Sequence, residues 1–266
     1  MNPTVADLSV ILTTHNKPRF AKEAVQSLLD QTHRNWQGVL VDSGVLLSQG
    51  FFEYLSDERL KVVPSGETPD LARTTNMASW CFNRVLNSGQ LTGELVMYLN
   101  DDDLLYPDAF ATYWAFYQQH NREPQAMYAS QDVGLVDQSG KTRVIGHRVA
   151  NRPAGRACNG RRLDCRVDYL QFCHTARILE QFRQTYRTTQ YHSEDKSDSH
   201  HADGIFMEQI GALTKIYNID KVLSMNRRTV QSANIEYAAS PLGRLLAMLR
   251  AKFRGAREAW FAPPRY

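Results

Sequence analysis

Apolar positions along the chain alternate between two patterns. Short unbroken apolar runs, "LSVILTT" (8–14), "WQGVLVDSG" (36–44), "LKVV" and "ELVMYL" (94–99), have the character of strands covered on both faces. Between the first two, Phe20, Ala21, Ala24, Val25, Leu28 and Leu29 recur at helical spacing and make one apolar face. Asn16 is placed to cap that helix, with Pro18 in its first turn. Strand, helix and strand within about 35 residues predict a βαβ unit with parallel strands.

The pattern continues beyond it. "FFEYLSDERL" predicts a short helix before "LKVV", and 71–87 a single longer one. Pro107 opens an aromatic-rich helix, and "AMYAS" and "TRVIGHRV" predict strands. Residues 150–166, basic and Gly-rich, predict a loop. "DYLQFCHTARILEQF" returns to helical spacing, and the polar, aperiodic 187–203 predicts a mobile loop. "GIFMEQIGALTKIY" is a helix, and "NIDKVLSMNRR" a last strand and turn. This alternation predicts an α/β fold with a mainly parallel sheet.

In such sheets ligands bind beyond the carboxyl ends of the strands. Three predicted strands end in polar groups there: Thr14-His15-Asn16, Asp42, and Asn100 with Asp101, Asp102 and Asp103. Adjacent like charges raise one another's pKa and cost stability unless something positive lies between them. The triplet is therefore screened by water or holds a hard divalent cation.

Composition narrows this picture. The 266 residues make one large domain or two small ones. A net charge of +3 gives no ground for nucleic-acid binding. No apolar run approaches the roughly 18 residues of a spanning helix, and no basic segment precedes the first apolar stretch as in a signal peptide. Cys81, Cys158, Cys165 and Cys173 form no CxxC pair, so free thiols in a reducing cytosol are expected.

"SVILTTHNKPRFAKEAVQSLLDQTHRNWQGVLVDSG" resembles the opening of the family 2 glycosyltransferases, which runs strand, T-Y-N-R, helix ending in Q-T, strand, V-D-D-G-S. "LARTTN" resembles their A-R-N segment, "GELVMYLNDDDLLYPD" the segment containing their DxD metal motif, and "HADGIFMEQIGALTKIYNIDKVLSMNRR" the later E-D-x-x-x-x-x-R…Y-R region. The resemblance covers roughly residues 7–232. It implies the GT-A fold, a Rossmann-like sheet flanked by helices. It also implies inverting transfer of one sugar from a nucleotide-sugar, UDP-linked for preference, with Mn2+ or Mg2+.

The same resemblance assigns roles. Asp102 and Asp103 are the metal-binding acids. Asn100 takes the first position of DxD, where it supplies no charge, and Asp101 the middle. Thr14, His15, Asn16 and Asp42 line the nucleotide pocket; Arg73, Arg227 and Arg228 face its phosphates. Inversion needs a base for the acceptor hydroxyl. The family places an aspartate at a helix start about 25 residues before its Y-R segment, and Asp203 lies 24 residues before Arg227. Glu194-Asp195 lies further upstream, and the family's preceding glutamate is Ala202 here. Each site residue also has a plain structural reading: Asp42 in a turn, Arg73 on a helix surface, Asp203 as a cap, His200 and His201 in an exposed loop.

The expected organisation is a glycosyltransferase domain over 1–235, with a nucleotide-binding half (1–105) and an acceptor-binding half (106–235). A basic amphipathic helical extension, 236–266, follows; it would pack on protein, join two subunits or lie on an anionic membrane surface. The acceptor would be a saccharide, a lipid-linked sugar or a protein. The processive members' Q-x-x-R-W segment does not occur, which favours transfer of a single sugar. The protein would be cytoplasmic, at the inner membrane face if the extension binds lipid. Two rivals remain: a nucleotide-sugar-binding protein without catalysis, and a nucleotidyltransferase, although "TTHNKPRF" lacks the latter's glycine-rich phosphate loop.

Overall fold

The computed structural model describes residues 5–66, 69–137, 139–154, 167–199 and 201–228. Four strands form the parallel half of a sheet: β1 (Leu8–Thr14), β2 (Trp36–Asp42), β3 (Leu60–Pro64) and β4 (Leu95–Asn100). Their spatial order is β3-β2-β1-β4, and every pair is parallel. Helices α1 (Pro18–Leu29), α2 (Pro69–Thr74) and α3 (Met77–Asn87) connect them. The expected βαβ unit is present.

The second half extends the same sheet. It contains β5 (Leu104–Leu105), α4 (Ala109–Gln119), β6 (Ala126–Val136), β7 (Thr142–Arg148), β8 (Phe172–Thr175), α5 (Ala176–Tyr186), α6 (Ala202–Leu213) and β9 (Ile216–Arg228). The order continues β4-β8-β6-β9-β5, with β7 pairing β6 beyond β8, on the edge opposite β9. Here β8 runs antiparallel to both β4 and β6, while β6 and β9 are parallel.

Residues alternate between the two faces with the period of a strand. Leu8, Val10 and Leu12 of β1 pack with Leu40, Met97, Leu28, Phe110 and Tyr113 on the α1/α4 side. Ile11 packs with Val39, Tyr98, Phe82, Phe172 and Phe206 on the α3/α6 side. Truncating any of these large side chains should cost about 2–5 kcal/mol.

Several local expectations change. No helix forms over 51–54, which make turns. The helix expected over 71–87 is broken at Thr75-Asn76 into α2 and α3. The "FCHT" stretch is strand β8, preceded by a 3-10 turn capped by Asp168, and its helix begins only at Ala176. Lys17, not Asn16, occupies the cap position of α1. The segment 187–199 is not a loop free of the body: Tyr191 and His192 are buried, and a 3-10 turn forms at Lys196–Asp198. Cys81 and Cys173 are buried. The extension 236–266, Cys158 and Cys165 lie outside the described residues.

Candidate active site

Strand register brings the polar ends together. Thr14 is opposite Asp42 on one side, and Thr13 is opposite Asn100 on the other. The end of β1 therefore sits between the two acidic strand ends, as the convergence of three strands required.

The three aspartates then take three different paths. Asp101 turns back under β1, accepting from Thr14 Oγ1 at 3.0 Å and the His15 amide at 2.9 Å. Asp103 turns the other way and is buried beneath β9; its Oδ1 accepts from Asn226 Nδ2 at 3.1 Å and the Arg227 amide at 2.9 Å. Asp102 stays partly exposed. Asn100 Oδ1 accepts from Thr13 Oγ1 at 3.0 Å. Of the two acids expected to face a metal, the structure turns only Asp102 outward. Asp103 serves as the anchor of the turn.

Two cations offset this charge. Lys17 Nζ lies 3.4 Å from Asp101 and 3.1 Å from Asp102. Burial opposes the ammonium's charge, but Asp102 and then Asp101 outweigh it and raise its pKa. Arg227, almost fully buried, donates from Nε to the Asp102 carbonyl at 2.5 Å, pairs with Glu23 and lies 4.9 Å over the Phe20 ring. Compensation is incomplete. Burial pushes the Asp101 carboxyl above its usual range despite Lys17, and pushes Asp103 further, with Asp102 and Asp168 adding to the effect.

The rim is built from two interlocked loops. Asp42 Oδ1 accepts from the Gly44 amide at 3.0 Å and Oδ2 from the Leu47 amide at 2.7 Å, so this buried carboxylate shapes the turn after β2. His15 Nδ1 lies 2.9 Å from the Ser43 carbonyl, and Asn16, at φ 54°, accepts from the Val45 amide at 3.0 Å. A Cβ at Gly44 would stand 2.2 Å from Asn16 Oδ1. Only glycine permits that approach.

Arg73 is exposed in the last turn of α2, and Arg228 is the last residue of β9. Asp203 is half-buried in the first turn of α6 and accepts from the Gly204 amide at 2.8 Å. A helix N-terminus favours the carboxylate form. The Tyr169 phenol is pushed up first by burial and then by the Asp203 charge. Glu194 and Asp195 are held otherwise: Glu194 accepts from Asn83 Nδ2 at 2.7 Å, and Asp195 caps the 3-10 turn through Ser197 N at 2.8 Å. His201 occupies the cap position of α6, and His200 lies outside the described residues.

Lys17 and Asn226 escaped the sequence reading. Lys17 was legible in principle, because it stands where the T-Y-N-R pattern has its arginine. Asn226 gave no signal, since its partner lies 123 residues away.

A metal fits this arrangement in one way. Among the described residues, no three His, Cys, Asp or Glu side chains form a cage. Hard divalent ions of the Mg2+ type are ordinarily held by one or two carboxylates plus substrate phosphates. Asp102, partly exposed and with only Lys17 on its carboxylate among the bonds described, meets that requirement.

A mixed sheet whose parallel strands end in a compensated acidic turn belongs to the α/β folds that carry their sites at the carboxyl ends of the strands. The chain belongs to glycosyl transferase family 2, whose model matches residues 9–152. Protein CgeD of Bacillus subtilis is 26% identical over 239 residues, covering 88% of this chain and 53% of CgeD, so the chain spans about half that relative's length. A glycosyltransferase of Rickettsia conorii is 27% identical over 117 residues, 43% of this chain and 18% of its own. S. aureus TarS 1–349 in complex with UDP-GlcNAc matches with TM-score 0.60 at 16% identity, over 97% of this chain and 68% of that one. The same fragment with UDP matches at TM-score 0.58 and 15% identity, over 95% and 68%. The fold is GT-A, as the sequence led one to expect. No helix among the described residues is long and apolar enough to cross a membrane.

Proposed function

We propose that the protein transfers a single sugar from a UDP-sugar to an acceptor hydroxyl, with inversion and with a divalent cation. The observation that carries this reading is the meeting of Thr14, Asp42 and Asn100–Asp103 at adjoining strand ends, with Lys17 between two of the acids. The UDP and UDP-GlcNAc complexes of TarS support the choice of nucleotide. The acceptor is a saccharide, free or carried on lipid or protein.

Each residue then has a task. The interlocked loops of His15-Asn16 and Ser43–Leu47 form the wall for the base and ribose. Lys17 neutralises the acidic turn and stands ready for the diphosphate. Arg73 and Arg228, at the ends of their elements, are the remaining phosphate-facing cations; Arg227 orients the turn from below. Mn2+ or Mg2+, held by Asp102 and the diphosphate, would act as the Lewis acid for the leaving group. Asp203, in the first turn of α6, accepts the proton of the attacking hydroxyl. Inversion needs no covalent intermediate, so a single base suffices.

Calorimetric titration of UDP with and without Mn2+ tests the reading. Wild-type protein should bind UDP more tightly with Mn2+, and Asp102→Asn should lose that gain while folding normally. Asp101→Asn should act chiefly on stability, because Asp101 holds the His15 amide. Absence of UDP binding in either condition overturns the proposal. A second reading, donor binding without catalysis, is favoured by Ala202, which is buried where the family has a glutamate; sugar transfer from a UDP-sugar would exclude it.

A further inference from the structure

Outside the crevice, a groove of 490 Å3 lies between α3 and the segment 187–194. That volume falls within the roughly 300–1,000 Å3 of small-molecule sites. Trp80, Asn83, Arg84 and Asn87 line one wall. Their spacing puts them on one face of α3. Gln190 and Glu194 line the other.

The inventory of polar atoms is specific. Asn83 is spent on the fold: it exchanges bonds with the His192 backbone at 2.8 and 2.9 Å and donates to Glu194 Oε1 at 2.7 Å. Asn87 Nδ2 donates to the Asn83 and Thr189 carbonyls at 2.8 and 2.9 Å. Among the described residues, Asn87 Oδ1, Glu194 Oε2 and the side-chain amide of Gln190 carry no hydrogen bond; the Gln190 backbone N–H donates to Thr188 Oγ1. Trp80 Nε1 is buried and also without a partner among them. An unpaired buried donor of this kind costs about 1–3 kcal/mol and calls for an explanation.

The chemistry narrows the ligand. The Glu194 carboxylate repels phosphate, and the Arg84 guanidinium is engaged by the Ser65 carbonyl, so the groove does not suit a nucleotide. Three planar polar groups make it a poor site for an apolar molecule. An aromatic flank set beside planar amides and a carboxylate suits a ring with an apolar C–H face and hydroxyls that both donate and accept. The groove also adjoins the chain that leads to Asp203: the Asn76 amide donates to the Glu194 carbonyl at 2.8 Å, and Thr75 bridges Asp195.

We propose that this groove binds a neutral saccharide, the non-reacting portion of the acceptor; the acceptor role rests on the glycosyltransferase reading above. Trp80 reports on it directly, as one of four tryptophans in the chain. In 15N-labelled protein, its indole N–H resonance is assigned by its loss in Trp80→Phe. Maltotriose, cellotriose and N-acetylchitotriose are titrated separately. At least one should shift that resonance saturably, with an affinity on the order of 1 mM. Gln190→Ala, an exposed change, should weaken the response severalfold, and UDP affinity measured in parallel should stay unchanged. If no trisaccharide moves the Trp80 resonance while UDP still binds, the groove proposal fails alone. If UDP binding is absent as well, the function reading fails with it. A shift that survives Gln190→Ala and Asn87→Ala undiminished also overturns the assignment.

Discussion

The acidic turn after β4 and the segment 187–199 are both polar, and both are pinned to the body, but by opposite means. In the turn, three consecutive acids are separated by pulling each toward a different partner: β1, Lys17 and β9. In the segment, the buried side-chain amide of Asn83 grips the backbone of His192, which is buried with Tyr191, while Thr189, Gln190 and residues 195–197 stay exposed. Charge compensation holds the first region, and the hydrogen bonds of an uncharged side chain, Asn83, the second. The turn therefore gathers charge at the crevice, whereas the segment is fastened by its backbone to α3.

The largest effect expected from breaking this contrast concerns Asp203. With Asp203 as the proposed base, Asp203→Asn should leave UDP affinity nearly intact and lower turnover on the order of 10²–10⁴-fold. Asp195→Asn, which removes only a cap, should change turnover little. Near-native turnover in Asp203→Asn with loss in Asp195→Asn would move the base to the other side of the segment.

A second test uses pH. Burial lowers the His174 pKa from 6.5 to about 4, and it lowers His192 as well, with His174 adding to the effect. Below pH 6.5 the unfolded chain binds protons that the folded protein refuses. The stabilisation is thus complete above the unfolded value and is lost as pH falls from 6.5 toward 4. For His174 alone this amounts to about 3 kcal/mol. Urea midpoints across that range should fall for the wild type and fall less steeply for His174→Gln. Equal slopes would refute the assignment.

Asn83→Ala should cost about 2–3 kcal/mol, because it strands the His192 amide and carbonyl in a buried place. Limited proteolysis should then cut preferentially within 187–199. Unchanged proteolysis would mean that the segment is held by something other than Asn83. The smallest effect belongs to Lys17→Gln. Removing the ammonium that competes for Asp102 should tighten Mn2+ binding in the absence of nucleotide by a few-fold, as calorimetry would show. Weaker Mn2+ binding would instead make Lys17 a support of the metal site.

How much of this the sequence disclosed follows the same division. The parallel half was legible because its strands are long apolar runs with a helical period between them. The convergence of Thr14, Asp42 and Asn100 followed from topology alone. Strand β8 was not legible: "FCHT" is short, and its strand character comes from lying between β4 and β6. The inward turn of Asp103 was hidden for a related reason, because only the return of β9 makes an aspartate preferable to water there. The grip of Asn83 on His192 crosses 109 residues, so a polar run that reads as loose is tied down by a residue on a distant helix.

The hook of Asn226 and Arg227 on Asp103 has a consequence for synthesis. The 123 residues from 104 to Asn226 take roughly 6–25 s to make at the usual rate of about 5–20 residues per second. During that interval the nascent chain carries β1 to β4 and the acids, but not the strand that buries one of them. The parallel half can pair early, whereas the acidic turn stays hydrated and open until β9 emerges and enters the sheet beside β6. Vectorial folding thus makes the turn the last part of the crevice to close, and a ribosome stalled before residue 226 would display the acids without their lock.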